Sequence, residues 1–171
     1  MAPVKTISSD GILLRRLGIL LLALIVAGCD VLASAPPCPF TGEGDDALSA
    51  GCFAIEDGAL LVVKNHKGKL SPPGGMSLPG EAAQCTAYRE TWEETGLRVE
   101  TRELLQVFDT GFHLYRCERA TDSGDIDPPA RFEVEDAFFL PAEEFHQHEW
   151  RFRGQQQDMT EIFSRLKQPE P

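Results

Sequence analysis

The apolar positions along the chain change character twice. Residues 17–28, "LGILLLALIVAG", are continuously apolar. From Gly51 onward the pattern becomes short apolar runs separated by turn residues, as in strands. "CFAIEDGALLVVK" sets two such runs around Asp57-Gly58, a strong short-range hairpin signal. "NHKGKLSPPGGMSLPG", interrupted by glycines and prolines, reads as a long loop. Between Glu81 and Thr95 there is neither Gly nor Pro, and Gly96 stands where a helix end takes a left-handed residue. "RETWEE" is therefore the last turn and a half of a helix.

Further strand-like runs follow: "LRVE", "LLQVF", "FHLYRCE" and "RFEVEDAFFL", with the acidic loop "ATDSGDIDPPA" between the last two. "PAEEFHQHEW" reads as a short helix or turn. In "GQQQDMTEIFSRLKQ", Met159, Ile162, Phe163 and Leu166 recur at helical spacing, which predicts an amphipathic C-terminal helix. Short strands with two or three helices define an α+β arrangement, a mixed sheet with helices packed on it. Residues 30–50, rich in Pro, Gly, Ala and Asp, read as a tether ahead of a single domain over 51–171.

Charge narrows the possible partners. The 171 residues carry 16 Lys+Arg against 27 Asp+Glu, a formal net charge of -11. No basic stripe interrupts this balance, which excludes an extended nucleic-acid surface. Phosphate esters remain possible ligands where a local cation offsets the acidity.

The apolar run of residues 17–28 follows Lys5, Arg15 and Arg16 and ends in small side chains. Twelve helical residues rise about 18 Å, short of the roughly 30 Å hydrocarbon core of a bilayer. A basic front and a short apolar centre fit a signal peptide over 1–28. Its end, Val26-Ala27-Gly28-Cys29, resembles the lipobox of bacterial lipoproteins. That resemblance implies cleavage before Cys29, lipidation of Cys29, and a chain held to a bacterial membrane facing the periplasm. Asp30 resembles a signal for retention at the inner membrane. An ordinary export signal, or an uncleaved anchor, with an incidental cysteine is the alternative.

Cys38, Cys52, Cys85 and Cys117 remain, an even count that in an oxidising compartment invites two disulfides. Cys38 with Cys52 would close a short loop, but spacing alone does not select a pairing, and free buried thiols are equally compatible. No Cys/His spacing suggests zinc.

The helix end holds the chemistry. Glu90, Glu93 and Glu94 fall within roughly a 100° arc of one helix face. Their mutual repulsion, at the helix end where the dipole disfavours anions, makes them poor choices for stability alone. Arg89 reaches Glu93 at i,i+4 but cannot neutralise three acids. The choice lies between a solvated acidic face and a site for a hard cation such as Mg²⁺, which takes carboxylates, waters and substrate phosphates.

Gly75, Glu81, Arg89, Glu90, Glu93, Glu94 and Gly96 stand in the order G-x5-E-x7-R-E-x-x-E-E-x-G, with Leu97 following. This string resembles the signature box of the Nudix hydrolases at all seven fixed positions. Thr91 departs from the bulky aliphatic residue of that box and reads as a core variant. The resemblance implies a Nudix-like α/β/α sandwich that hydrolyses a pyrophosphate linkage in a nucleoside diphosphate derivative. It implies that Glu90, Glu93 and Glu94 hold Mg²⁺ (or Mn²⁺), that Arg89 orients them, and that Gly75, Glu81 and Gly96 support the site.

The general base falls outside the box. Glu133 and Glu135 are the first candidates, with Asp136, Glu143 and Glu144 behind them. His146 and His148 form an HxH that reads as a polar turn or as a metal or phosphate contact. Trp92, Phe112, His113 and Tyr115 read as core or as a stacking surface for a base. A small-molecule pyrophosphate substrate is expected, with monomer and dimer both compatible. A lipid-linked pyrophosphate, or a regulatory module without turnover, would use the same fold.

Overall fold

A computed structural model describes residues 34–167. The signal peptide expected over 1–28, the lipid site Cys29 and Asp30 lie outside the described residues. Strands β1 (Ser49–Glu56) and β2 (Ala59–Lys64) form the expected hairpin. Asp57 and Gly58 lie at φ 49° and 80°, both left-handed, as a two-residue type I′ turn requires. Two short strands, β3 (Leu70–Ser71) and β4 (Gly74–Met76), punctuate what reads in the sequence as one loop. Helix α1 (Ala83–Thr95) follows, then β5 (Val99–Val107), β6 (Phe112–Arg119), β7 (Asp136–Pro141), a 3-10 helix (Ala142–Gln147) and helix α2 (Gln155–Leu166).

The seven strands make one mixed sheet, ordered β3-β2-β1-β6-β5, with β4 on β1 and β7 on β2. β1 and β6 run parallel, Cys52 opposite Tyr115, while β2 pairs antiparallel with β7. Two sequence expectations change here. "LRVE" and "LLQVF" are one strand, because the polar residues between them are absorbed by register shifts between Thr101 and Gln106. The start of "RFEVEDAFFL" is a turn, and the strand begins only at Asp136.

Alternation along the strands sorts side chains onto two faces. Ala50, Cys52, Ala54, Leu61, Tyr115 and Cys117 face α1, against Ala83, Ala87 and Tyr88. Phe53, Leu60, Val62 and Leu114 face the other way, against Met159, Ile162 and Phe163 of α2 and Phe145 and Trp150. Phe163 packs edge-on against Phe53 and Phe145 at 6.4 and 5.7 Å between ring centroids. A sheet between two helical layers is the α/β/α arrangement.

Residues 38–48 are attached to this body, although their composition suggests a free tether. α1 lacks a side-chain cap of its own. Instead the Ala83 N–H donates to Asp45 O at 2.8 Å, and Gln84 Nε2 donates to Asp45 Oδ2 at 2.9 Å. Tyr115 Oη donates to the same Asp45 oxygen at 2.7 Å. Disulfides join Cys38 to Cys85 and Cys52 to Cys117, each with Cα atoms 5.4 Å apart. Cys38 and Cys52 are therefore not partners: Cys52 is committed to the neighbouring strand, and Cys38 to the first turn of α1. Among the described residues no helix is long and apolar enough to cross a membrane.

Candidate active site

The site is built where the loop through β4 passes beneath the last turns of α1. β4 pairs with β1 so that Gly75 lies opposite Ala50 and Gly74 opposite Gly51. A Cβ on Gly75 would collide with the Glu90 carboxylate, so glycine alone lets strand and acid approach this closely. Next to it, the Gly74 N–H donates to Glu94 Oε2 at 2.8 Å.

Arg89 gathers the box. Its Nε and Nη2 donate to the two oxygens of Glu81, both at 2.9 Å, a bidentate fork. Nη1 donates to Glu90 Oε1 at 2.6 Å and to Glu93 Oε2 at 3.2 Å, and Nη2 also reaches Met76 O at 2.8 Å. Glu81 in turn accepts the Leu78 N–H and the Thr86 hydroxyl. Burial, the largest single influence on Glu81, would raise its pKa, but the hydrogen bonds from Arg89, Leu78 and Thr86 bring it below the ordinary carboxylate value. Glu81 first, and then Glu90, hold Arg89 above its ordinary value against the effect of burial.

The other two acids are less well compensated. Glu90 and Glu94 keep only 7% and 6% of their surface exposed. Burial raises the pKa of Glu90 despite Arg89. Burial pushes Glu94 up to about 8, against the Gly74 hydrogen bond, with the charges of Glu90 and Glu133 adding to the rise and Arg151 opposing it. Beneath them Thr91 is fully buried, its hydroxyl donating to Ala87 O at 2.7 Å, as the reading of a core variant requires.

The end of α1 also positions Glu133. Gly96 sits at φ 78° and caps Trp92 O. Two more end carbonyls are met by the loop before β7: the Asp127 N–H donates to Thr95 O and the Ala130 N–H to Glu93 O. His66 Nε2 lies 3.1 Å from Phe132 O and, facing a carbonyl, must be the donor. The Glu133 N–H closes the turn on Ala130 O. Glu133 is thereby brought near enough to Glu90 and Glu94 for its charge to raise both.

Glu135 diverges, pairing with Lys64 at 3.3 Å. Asp136 accepts the Ala137 N–H. Glu143, Glu144, His146 and His148 lie on or just past the 3-10 helix, with no hydrogen bond or ion pair to the cluster among the described residues. Of the aromatic candidates, Tyr115 is core, Phe112 packs against the α2 layer, and Trp92 is half-buried on α1.

Sequence patterns did not mark an open cleft of about 570 Å³ lined by Asn65, His66, Lys67, Lys69, Glu133, Arg151 and Phe152. It shares Glu133 with the acid cluster. Its cations come from a turn and a loop far apart in the chain, which leaves no local motif.

Among the described residues no three acidic, His or Cys side chains already converge as a cage for a metal ion. Arg89 draws one oxygen of Glu90 and one of Glu93 to itself. The donor chemistry nonetheless fits a hard divalent cation. Glu90 and Glu94 are buried and undercompensated, and the glycine cradle beside Glu90 admits no side chain.

The three-layer domain thus sets an arginine-laced acidic helix end beside a paired glycine strand. The sequence matches the NUDIX domain model over residues 46–161, and the chain belongs to the Nudix family. It is 42% identical over 60 residues to a "MutT-like protein" of Streptomyces ambofaciens, covering 34% of this chain and 39% of that protein. It is 38% identical over 63 residues to "Nucleoside diphosphate-linked moiety X motif 6" of Mus musculus, covering 35% of this chain and 20% of that protein. The chain therefore aligns with well under half the length of these curated relatives. In fold it is similar to an ADP-ribose pyrophosphatase from Streptococcus suis, with a TM-score of 0.63 at 16% identity over 72% of this chain and 94% of that one.

Proposed function

We propose that the chain hydrolyses a pyrophosphate linkage in a nucleoside diphosphate derivative, with Mg²⁺ (or Mn²⁺) held by Glu90, Glu93 and Glu94. The observation that carries this reading is the burial of Glu90 and Glu94 with too little positive charge beside them. Bound there, the cation supplies the positive charge that offsets the phosphoryl oxygens during attack. Arg89, forked onto Glu81, holds in place Glu90 and Glu93, two of the carboxylates that would bind the metal. Glu133 is the general base. It takes a proton from the attacking water as the water oxygen bonds to phosphorus, and the bridging P–O bond breaks with its electron pair leaving on the departing phosphate.

Two supporting observations bear on where this happens. The pairs Cys38–Cys85 and Cys52–Cys117 suit an oxidising compartment. The Val26–Cys29 string favours attachment to a membrane through Cys29. In this proposal the enzyme acts in the bacterial cell envelope on the periplasmic side, with Asp30 favouring the inner membrane.

Turnover of nucleoside diphosphate sugars, dinucleoside polyphosphates, nucleoside di- and triphosphates and prenyl pyrophosphates with Mg²⁺ tests the reading. Glu94→Gln and Glu133→Gln are run beside the native chain. Turnover abolished by the first and lowered in kcat by the second supports it. A folded, Mg²⁺-binding protein inert on every class would sink it in favour of a binding module.

A further inference from the structure

The chain is strongly acidic, with a net charge of -11, yet the cleft next to Glu133 is basic. One wall is the turn from Asn65 to Lys69. It is held by Gly68 N–H on Asn65 O at 2.8 Å and by Asn65 Oδ1, which accepts the Lys67 and Lys69 N–H groups at 2.9 and 3.1 Å. The opposite wall is Arg151 and Phe152, fastened to β3 by Leu70 N–H on Glu149 O and Arg151 N–H on Leu70 O, both 2.8 Å. Both walls are therefore fixed by backbone bonds.

The cations on these walls are not used for stability in the way others here are. Arg102, Arg116 and Arg119 each pair with glutamates at 3.4 Å or closer. Among the described residues Lys67 and Arg151 form no ion pair, and Lys69 has only a 3.7 Å contact with a largely exposed Glu149. The Arg151 guanidinium lies 5.4 Å over the Phe152 ring, which is 58% exposed, so the ring orients the guanidinium without neutralising it. Unpaired lysine and arginine donors around a fixed cleft are what an anionic phosphate requires.

Resting on the pyrophosphohydrolase reading above, we propose that this cleft receives a further phosphate of the substrate. The preferred substrates are then nucleoside polyphosphates with a phosphate beyond the scissile linkage, rather than nucleoside diphosphates capped by a neutral sugar. A neutral sugar in this cleft would leave Lys67, Lys69 and Arg151 without an anionic partner.

The test compares the full-length chain, in mild detergent with Mg²⁺, on UTP and on UDP-glucose. The native chain should have the higher kcat/KM on UTP. The double variant Lys67→Ala/Arg151→Ala should lower the ratio of the two kcat/KM values about tenfold or more, mainly through the KM for UTP. Lys67→Arg should retain most of the native ratio. A native preference for UDP-glucose, or an equal loss on both substrates, overturns the proposal. Titration of inorganic tripolyphosphate into Glu94→Gln protein by calorimetry separates the cleft from the chemistry. Binding weakened about tenfold by the double variant supports the cleft even where neither nucleotide is turned over, an outcome that would count against the reaction instead. Binding unchanged by the double variant overturns it.

Discussion

Gly74 and Glu94, twenty residues apart, are joined by a 2.8 Å hydrogen bond from backbone N–H to carboxylate Oε2. Among the described residues it is the one hydrogen bond to a carboxylate whose pKa burial has pushed up to about 8. The folded chain thus holds a proton that the unfolded chain releases near pH 4.5. Stability from this group is present below pH 4.5 and is lost as pH rises toward 8. The metal-free protein should lose roughly a few kcal/mol between pH 5 and pH 8, and Glu90 contributes in the same direction. Thermal melts across that range check it. Glu94→Gln should flatten the trend, and Mg²⁺ should raise the melting temperature more at pH 8 than at pH 5.

Arg89→Lys keeps the charge and loses the fork. Lysine cannot reach Glu81, Glu90, Glu93 and Met76 O at once, as Arg89 does. We expect kcat/KM to fall roughly 10- to 100-fold, with a stability loss of about 1–3 kcal/mol in urea titration. Glu81→Gln, which leaves the fork a weaker acceptor, should fall between this variant and the native chain.

Gly75→Ala tests the close approach of β4 to Glu90. The added methyl must displace the carboxylate it meets, at a cost of about 1–3 kcal/mol. Mg²⁺ titration should show metal affinity lowered roughly tenfold, whereas Gly124→Ala, whose added methyl meets nothing within 4 Å among the described residues, should leave it within twofold.

The disulfides close loops of 47 and 65 residues of sequence separation. In the chain-entropy model each stabilises by roughly 4 kcal/mol. Cys38→Ser with Cys85→Ser should lower the urea midpoint accordingly, while kcat/KM at 25 °C stays within about threefold, since Arg89 and its partners do not depend on that link. Reduction with dithiothreitol should lower the midpoint further, because it also opens Cys52–Cys117.

What could be read from the chain was local. The Asp57-Gly58 hairpin, the end of α1 at Gly96, the amphipathic α2 and the box acids each depend on residues within a few turns of one another. What could not be read depends on contacts between distant segments. Glu133 and Glu135 are two residues apart and chemically alike. Only the docking of the preceding loop on Glu93 O and Thr95 O, with His66 on Phe132 O, sends the first toward the acids and leaves the second to Lys64. Asp45 is illegible for the same reason: it caps a helix that starts thirty-eight residues later. The two runs of β5 look separate because the polar residues between them mimic a turn, and a bulge carries the strand through.

The Cys38–Cys85 bond has a mechanical consequence. A pull on the chain ahead of Cys38 meets that covalent link to the first turn of α1 before it reaches β1. Strand β1, held between β2 and β6 in the middle of the sheet, is shielded from being peeled out by its own leading end. Load applied from the N-terminal side enters the same helix that ends in Glu90, Glu93 and Glu94. Once the bond is reduced, it enters instead through the Asp45 hydrogen bonds and the start of β1, a far weaker attachment.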